Sequence, residues 1–250
     1  MPRAGRGTLS DMDELTTEQV EAWNVDGFLV LERFIDDDTL STLRGAYDDI
    51  LSREVEAAGD RMLGGVTRQV MLPSSAHPAF DRNPVVRKGV HIGRQLFGTE
   101  EVSRTFDMLI YKPPGHPHDT PWHQDMAYAG RPVARAGSKI ILESIQFWIP
   151  LDDVDLETGC MQFVPGYQVQ PLLEHHVASG DPDDDGRLLA LVDPPAQVDL
   201  SKSVVAEIPA GAATMHSYGT PHYTGPNRSP DRHRRAYIFN VATRRSGFFT

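Results

Sequence analysis

Six short runs after residue 100 alternate or cluster their apolar residues in the manner of strands, and they restrict the chain to a β architecture. Residues 104–111 and 144–151 alternate, and 160–164 is a short apolar run ended by Pro165-Gly166. The runs 204–208, 212–216 and 236–242 complete the series. Short strands punctuated by Pro and Gly turns indicate two sheets packed as a sandwich or jelly roll.

The first hundred residues follow a different pattern, mostly helical with a strand or two. Thr16-Thr17-Glu18-Gln19 fits a capping box, which predicts a short helix to about Trp23. A turn at Asp26-Gly27 leads into Phe28-Leu29-Val30-Leu31, read as a buried strand. Residues 36–38 offer N-caps for a longer helix, with Leu40, Leu43, Tyr47, Ile50 and Leu51 on one apolar face. Asn83-Pro84 begins a third helix and Gly98 is placed to end it. The chain therefore divides into a disordered tail (1–15) and one domain (16–250), with a helical part at 16–98. Residues 168–203 are less regular and read as an insertion between strands, a surface loop with some helix.

Charge and cysteine content exclude several classes of function. A formal net charge of −11 argues against nucleic acid or an anionic membrane as partner. No apolar run reaches the roughly 18 residues of a membrane span, and residues 1–7 have no apolar segment behind them to make a signal peptide. The single cysteine, Cys160, allows no internal disulfide, so a cytoplasmic protein acting on a small molecule is expected.

Chemistry concentrates at Pro121-Trp122-His123-Gln124-Asp125. His123 and Asp125 read as two ligands of one divalent metal. Two His and one carboxylate on one side of a metal leave the other side open, which suits non-haem Fe(II). The third ligand is sought among the other His. His222, in a Gly/Pro/Asn-rich turn that can aim its side chain, is the first choice, and His216, which continues a strand, is the rival as a pocket or core residue. His116, His118, His175 and His176 read as surface residues, although His116 or His118 would complete a three-His cupin-type site. On the last strand Arg234, Ala236 and Ile238 share one face and Arg235, Tyr237 and Phe239 the other. An Arg at this strand start would clamp a carboxylate.

An ordered set of motifs then becomes specific. Met-Leu-Ile-Tyr-Lys-Pro-Pro at 108–114, Pro-Trp-His-Gln-Asp-Met-Ala-Tyr at 121–128 and Phe-Val-Pro-Gly at 163–166 come first. His-Tyr-Thr-Gly-Pro-Asn-Arg-Ser at 222–229 and Arg-Arg-Ala at 234–236 follow. Together with Asp-Gly-Phe-Leu-Val-Leu at 26–31, they resemble the phytanoyl-CoA dioxygenase family of Fe(II)/2-oxoglutarate oxygenases over about residues 16–243.

The resemblance implies a double-stranded β-helix, cupin-like and mainly β, with flanking helices. It implies His123, Asp125 and His222 as iron ligands and Arg234 as partner of the distal carboxylate of 2-oxoglutarate. Thr224 stands where a hydroxyl assists that arginine, and Met108 and Trp148 match positions lining the co-substrate pocket. The spacing from His222 to the arginine is one residue longer than in some members, which leaves Arg232 or Arg235 as substitutes. The implied reaction uses Fe(II), 2-oxoglutarate and O2 to hydroxylate or otherwise oxidise a small metabolite, which is expected to enter past residues 168–203 and sit near Tyr128. The alternatives are a non-redox metal-dependent isomerase or lyase on the same scaffold, and a non-catalytic binding module. Residues 168–203 carry seven acidic and two basic residues, so as a lid they would favour a neutral or cationic substrate. Arg131 and Arg135 are the residues that could build a phosphate site instead.

Overall fold

The structure, a computed structural model, describes residues 6–8, 14–131, 133–139, 143–181, 183–184 and 187–243. Strand β1 (Arg6–Thr8) runs parallel to β2 (Phe28–Arg33), so part of the expected tail is a strand. Most of the remainder of that tail lies outside the described residues. Helix α1 (Thr17–Asp26) opens on the expected capping box and ends at Gly27, whose φ of 78° only glycine adopts without strain. It runs three residues past the expected end. Asp36 caps α2 (Asp37–Ser52), which buries Leu40, Leu43, Tyr47 and Ile50.

A hairpin of β3 (Gly59–Leu63) and β4 (Thr67–Met71) follows, where no strand is expected. Its arms carry exposed Arg61 and Met62, so apolar alternation is missing; Gly64-Gly65 at the turn is the sequence signal. Helix α3 (Pro78–Asp81) is a single turn. Helix α4 (Pro84–Phe97) has Asn83 as N-cap and Gly98 as C-cap, as expected.

Two sheets make up the rest. The larger has eight strands in the order β1-β2-β12-β7-β14-β5-β4-β3. It adds β5 (Val102–Lys112), β7 (Ser144–Pro150), β12 (Ala213–Ser217) and β14 (Arg234–Thr243) to those above. The smaller has the order β11-β8-β13-β6, from β6 (Thr120–His123), β8 (Met161–Phe163), β11 (Val204–Ala206) and β13 (His222–Thr224). The insertion contains its own two-stranded sheet, β9 (His175–Val177) with β10 (Leu189–Leu191), then a one-turn helix α5 (Pro194–Gln197).

Strand alternation sorts the large sheet into two faces. Leu29, Leu31, Phe147, Ile149, Met215, Tyr237 and Phe239 pack with Leu43, Tyr47, Val85 and Ile92 of α2 and α4. Their neighbours Phe28, Val30, Trp148, Ala236 and Ile238 pack with Met161 and Phe163 of the small sheet. Each such large side chain contributes about 1.5–3 kcal/mol by leaving water. Helix α4 comes close because Gly89 has no side chain; a Cβ there would lie 2.5 Å from Phe239. This is a double-stranded β-helix with helices over its outer face. Among the described residues no helix is long and apolar enough to cross a membrane.

Candidate active site

Strands β6 and β13 of the small sheet pair antiparallel with His222 directly opposite His123. Asp125 begins a short 3-10 turn just after β6. His123, Asp125 and His222 thereby offer ligand atoms that all lie within 4.8 Å of one another. His123 Nδ1 donates to Pro121 O at 2.7 Å and His222 Nδ1 to Thr220 O at 3.0 Å. These bonds fix the tautomers and turn both Nε2 lone pairs toward Asp125 Oδ1, each at 3.8 Å. Burial pushes both imidazoles down from their ordinary values, His222 furthest. Burial alone would raise the Asp125 carboxyl, but His222, His216 and His123 outweigh it and hold the group below its usual range. Two neutral imidazoles and one carboxylate are a donor set suited to a divalent iron.

The other oxygen, Asp125 Oδ2, accepts from Gln146 Nε2 at 2.7 Å and from His216 Nε2 at 3.2 Å. His216 is fully buried behind the triad.

A cavity of about 330 Å³ opens in front of the triad. Met108, Tyr128, Trp148, Thr224 and Arg234 all line it. Arg234 is 1 % exposed and its guanidinium lies over Trp148, 5.7 Å from the ring centroid. Its Nε and Nη2 have no hydrogen-bond partner among the described residues. A buried donor left unpaired costs about 1–3 kcal/mol, so the pair of donors marks a place for a planar acceptor such as a carboxylate. Burial pushes the Arg234 guanidinium down to about 10, which leaves it cationic at neutral pH. Lys112, also buried, donates to Gly225 O at 2.7 Å and to Thr224 Oγ1 at 3.2 Å. With a lone pair so used, the Thr224 hydroxyl proton is available to the cavity.

A sequence profile described as Phytanoyl-CoA dioxygenase (PhyH) matches residues 23–236. The chain belongs to the phytanoyl-CoA dioxygenase family. The peroxisomal phytanoyl-CoA dioxygenase of Rattus norvegicus is 27% identical over 183 residues, which is 66% of this chain and 51% of the rat protein. The chain thus spans about half the length of the curated relatives it matches. Among solved structures, EvdO2 from Micromonospora carbonacea var. aurantiaca complexed with 2-oxoglutarate is 28% identical, with a TM-score of 0.74. That match covers 92% of this chain and 91% of EvdO2. SnoK, a non-heme alpha ketoglutarate dependent carbocyclase from nogalamycin biosynthesis, is 22% identical with a TM-score of 0.63 over 92% and 84% of the two chains, and shares the fold.

The remaining candidates of this family member fall elsewhere. Arg232 pairs with Asp155 and Glu157, and Arg235 with Asp152 and Asp48, so neither faces the cavity. His222 lies on a strand rather than in a turn, because β13 pairs with β6 and β8 on either side; its three residues are too short to show this in sequence. Two His expected at the surface are buried. His116 bonds to Thr67 Oγ1 at 2.9 Å, and His175 accepts from the backbone N–H of Gln124 at 2.9 Å. Burial of a His depends on partners far along the chain, which local polarity does not reveal. His118 and His176 are exposed, as expected. Gln146 was missed, although it shares a strand face with Trp148 two residues on.

Charges of the insertion are distributed unevenly about the cavity. Asp181, Asp183, Asp193 and Asp199 are exposed, whereas Arg187 lines the cavity. Asp185 lies outside the described residues. Among the described residues four arginines, Arg61, Arg131, Arg187 and Arg234, line the cavity with one carboxylate, Asp125. Net composition of the segment misleads because Arg187, just before β10, is held at the cavity by the carbonyls of Tyr128 and Gly130 while those acidic side chains stay in solvent.

Proposed function

We propose that this chain is an Fe(II)- and 2-oxoglutarate-dependent oxygenase that hydroxylates, or otherwise oxidises, a small organic molecule held in this cavity. The observation that carries the reading is the pair of unpartnered, buried donors of Arg234 in the same cavity as the His-Asp-His triad. In this reading His123, Asp125 and His222 hold iron, and Arg234 with the Thr224 hydroxyl binds the distal carboxylate of 2-oxoglutarate. Bound iron supplies a two-electron oxidation by O2 in which 2-oxoglutarate leaves as succinate and CO2.

The chain's own part is positioning and exclusion of water. Gln146 and His216 keep Oδ2 of Asp125 occupied so that Oδ1 stays toward the metal. Trp148 and Met108 form an apolar wall for the co-substrate, and Met108 is fixed by Gln69 Nε2 against its sulfur. Tyr128 stands edge-on to His123, with ring centroids 5.9 Å apart, and flanks the space for substrate. Its phenol, pushed up to about 12 mainly by burial, stays protonated. Cys160, buried and free, is compatible with a reducing cytoplasm. A non-redox isomerase or lyase would leave Arg234 without an acceptor. The curated relatives act under the name of phytanoyl-CoA dioxygenase and SnoK under that of carbocyclase, so product analysis decides the outcome.

Anaerobic calorimetry of Mn(II)-loaded protein with 2-oxoglutarate tests the reading. Saturable binding that is lost in Arg234→Ala supports it. No binding by metal-loaded wild-type protein would overturn it.

A further inference from the structure

Three cations stand at the outer part of the cavity, apart from the buried Arg234. Arg61 on β3 and Arg131 are exposed, and Arg187 is half-buried. Arg187 Nη2 donates to the carbonyls of Tyr128 and Gly130 at 3.1 and 3.0 Å, and its Cζ lies 5.9 Å from the centroid of the Tyr128 ring. These neutral contacts hold the guanidinium in place and do not cancel its charge. Its Nε is buried and has no hydrogen-bond partner among the described residues. Neither Arg187 nor Arg131 has an acidic partner among the described residues. Burial first, then Arg131 and Arg61, pushes the Arg187 guanidinium below its ordinary value, as expected of like charges gathered without a counter-ion. Below them the wall is apolar, with Leu63, Met71, Phe106 and Ile110.

Resting on the oxygenase reading, we propose that Arg187 and Arg131, with Arg61 beside them, form a subsite for an anionic group of the substrate. The substrate is then an organic carboxylate or phosphate ester with an apolar body. Its charged end sits on Arg187 at the mouth, and its apolar part passes Tyr128 toward the triad. Tyr128 is the link, since the same ring meets His123 and Arg187. Arg187 Nη2, which shares an edge with Nε, is held by the two carbonyls, so Arg187 acts on the anion as a fixed positive charge and Arg131 and Arg61 supply the mobile donors.

The test uses the full chain loaded with Mn(II) and 2-oxoglutarate without oxygen, titrated calorimetrically with octanoate, octanoyl-CoA and octanamide. Binding of 2-oxoglutarate is measured first; its absence in the wild type would count against the oxygenase reading itself. With 2-oxoglutarate bound, at least one of the two anions is expected to bind tenfold or more tightly than the amide. Arg187→Gln and Arg131→Gln should each weaken that anion at least fivefold, and raised salt should weaken it too. Dependence seen with octanoate assigns a carboxylate to the subsite, and dependence seen only with octanoyl-CoA assigns a phosphate; both support the proposal. Arg131 is exposed and has no acidic partner among the described residues, so its variant reads binding even if Arg187→Gln fails to fold. Equal affinity for anions and amide, no binding of either anion at millimolar concentration, or anion affinity unchanged in Arg131→Gln would overturn it.

Discussion

His216 Nε2 lies 3.2 Å from Asp125 Oδ2, the carboxylate oxygen that faces away from His123 and His222. One carboxylate is thus divided between an anchoring oxygen and a ligand oxygen. Groups that orient a ligand in this way typically change metal affinity about 10–100-fold when removed. His216→Ala should therefore weaken metal binding within that range and leave it measurable. His123→Ala, Asp125→Ala and His222→Ala should each abolish turnover. Metal titration of the four variants checks this; full loss in His216→Ala with none in His222→Ala would reverse their roles.

Arg234 and Arg235 are adjacent on β14 yet face opposite sides of the sheet. Arg234→Ala should raise the 2-oxoglutarate requirement well over tenfold, since removing one partner of a buried charge pair costs about 2–5 kcal/mol. Arg235→Ala removes a double contact with Asp152 and a bond to Asp48, so it should lower thermal stability with little effect on co-substrate affinity. Saturation curves and melting temperatures of both variants distinguish the two effects.

Gly89 sets how closely α4 approaches the sheet. In Gly89→Ala the added Cβ meets the ring of Phe239 at 2.5 Å and that of Phe147 at 3.2 Å, inside a closed core. Overpacking of this kind typically costs about 1–3 kcal/mol. Urea unfolding should show a lowered midpoint with an unchanged slope.

The pH dependence of stability has a predictable sign. His116 is pushed down to about 4 from 6.5, mainly by burial, with Lys112 adding to it. The unfolded chain therefore takes up a proton below pH 6.5 that the folded chain refuses until about pH 4. Stability is full above this window and falls as pH drops through it. Thermal melts of metal-free protein should show the decline, and His116→Gln should flatten it.

Much of the scaffold was legible because β7 and β14 alternate over seven and ten residues. The placement of Arg234 opposite Arg235 followed from the same alternation. Strands β6 and β13, which carry the two triad His, are only four and three residues long and include or adjoin proline, so no periodicity announces them. Motif order, not local pattern, located those residues. Lys112 and His175 were illegible as buried groups, since their partners Thr224 and Gln124 lie 112 and 51 residues away. Arg187 was hidden by its acidic neighbours, because a sum of charges carries no direction.

The central claim is that triad and Arg234 serve one reaction. Its most direct test is succinate release from 2-oxoglutarate by Fe(II)-loaded protein in the presence of O2, compared with His222→Ala and Arg234→Ala. The account predicts succinate from the wild type, none from His222→Ala, and release restored in Arg234→Ala only at much higher 2-oxoglutarate. Iron-loaded wild-type protein that binds metal but neither binds 2-oxoglutarate nor releases succinate would contradict it.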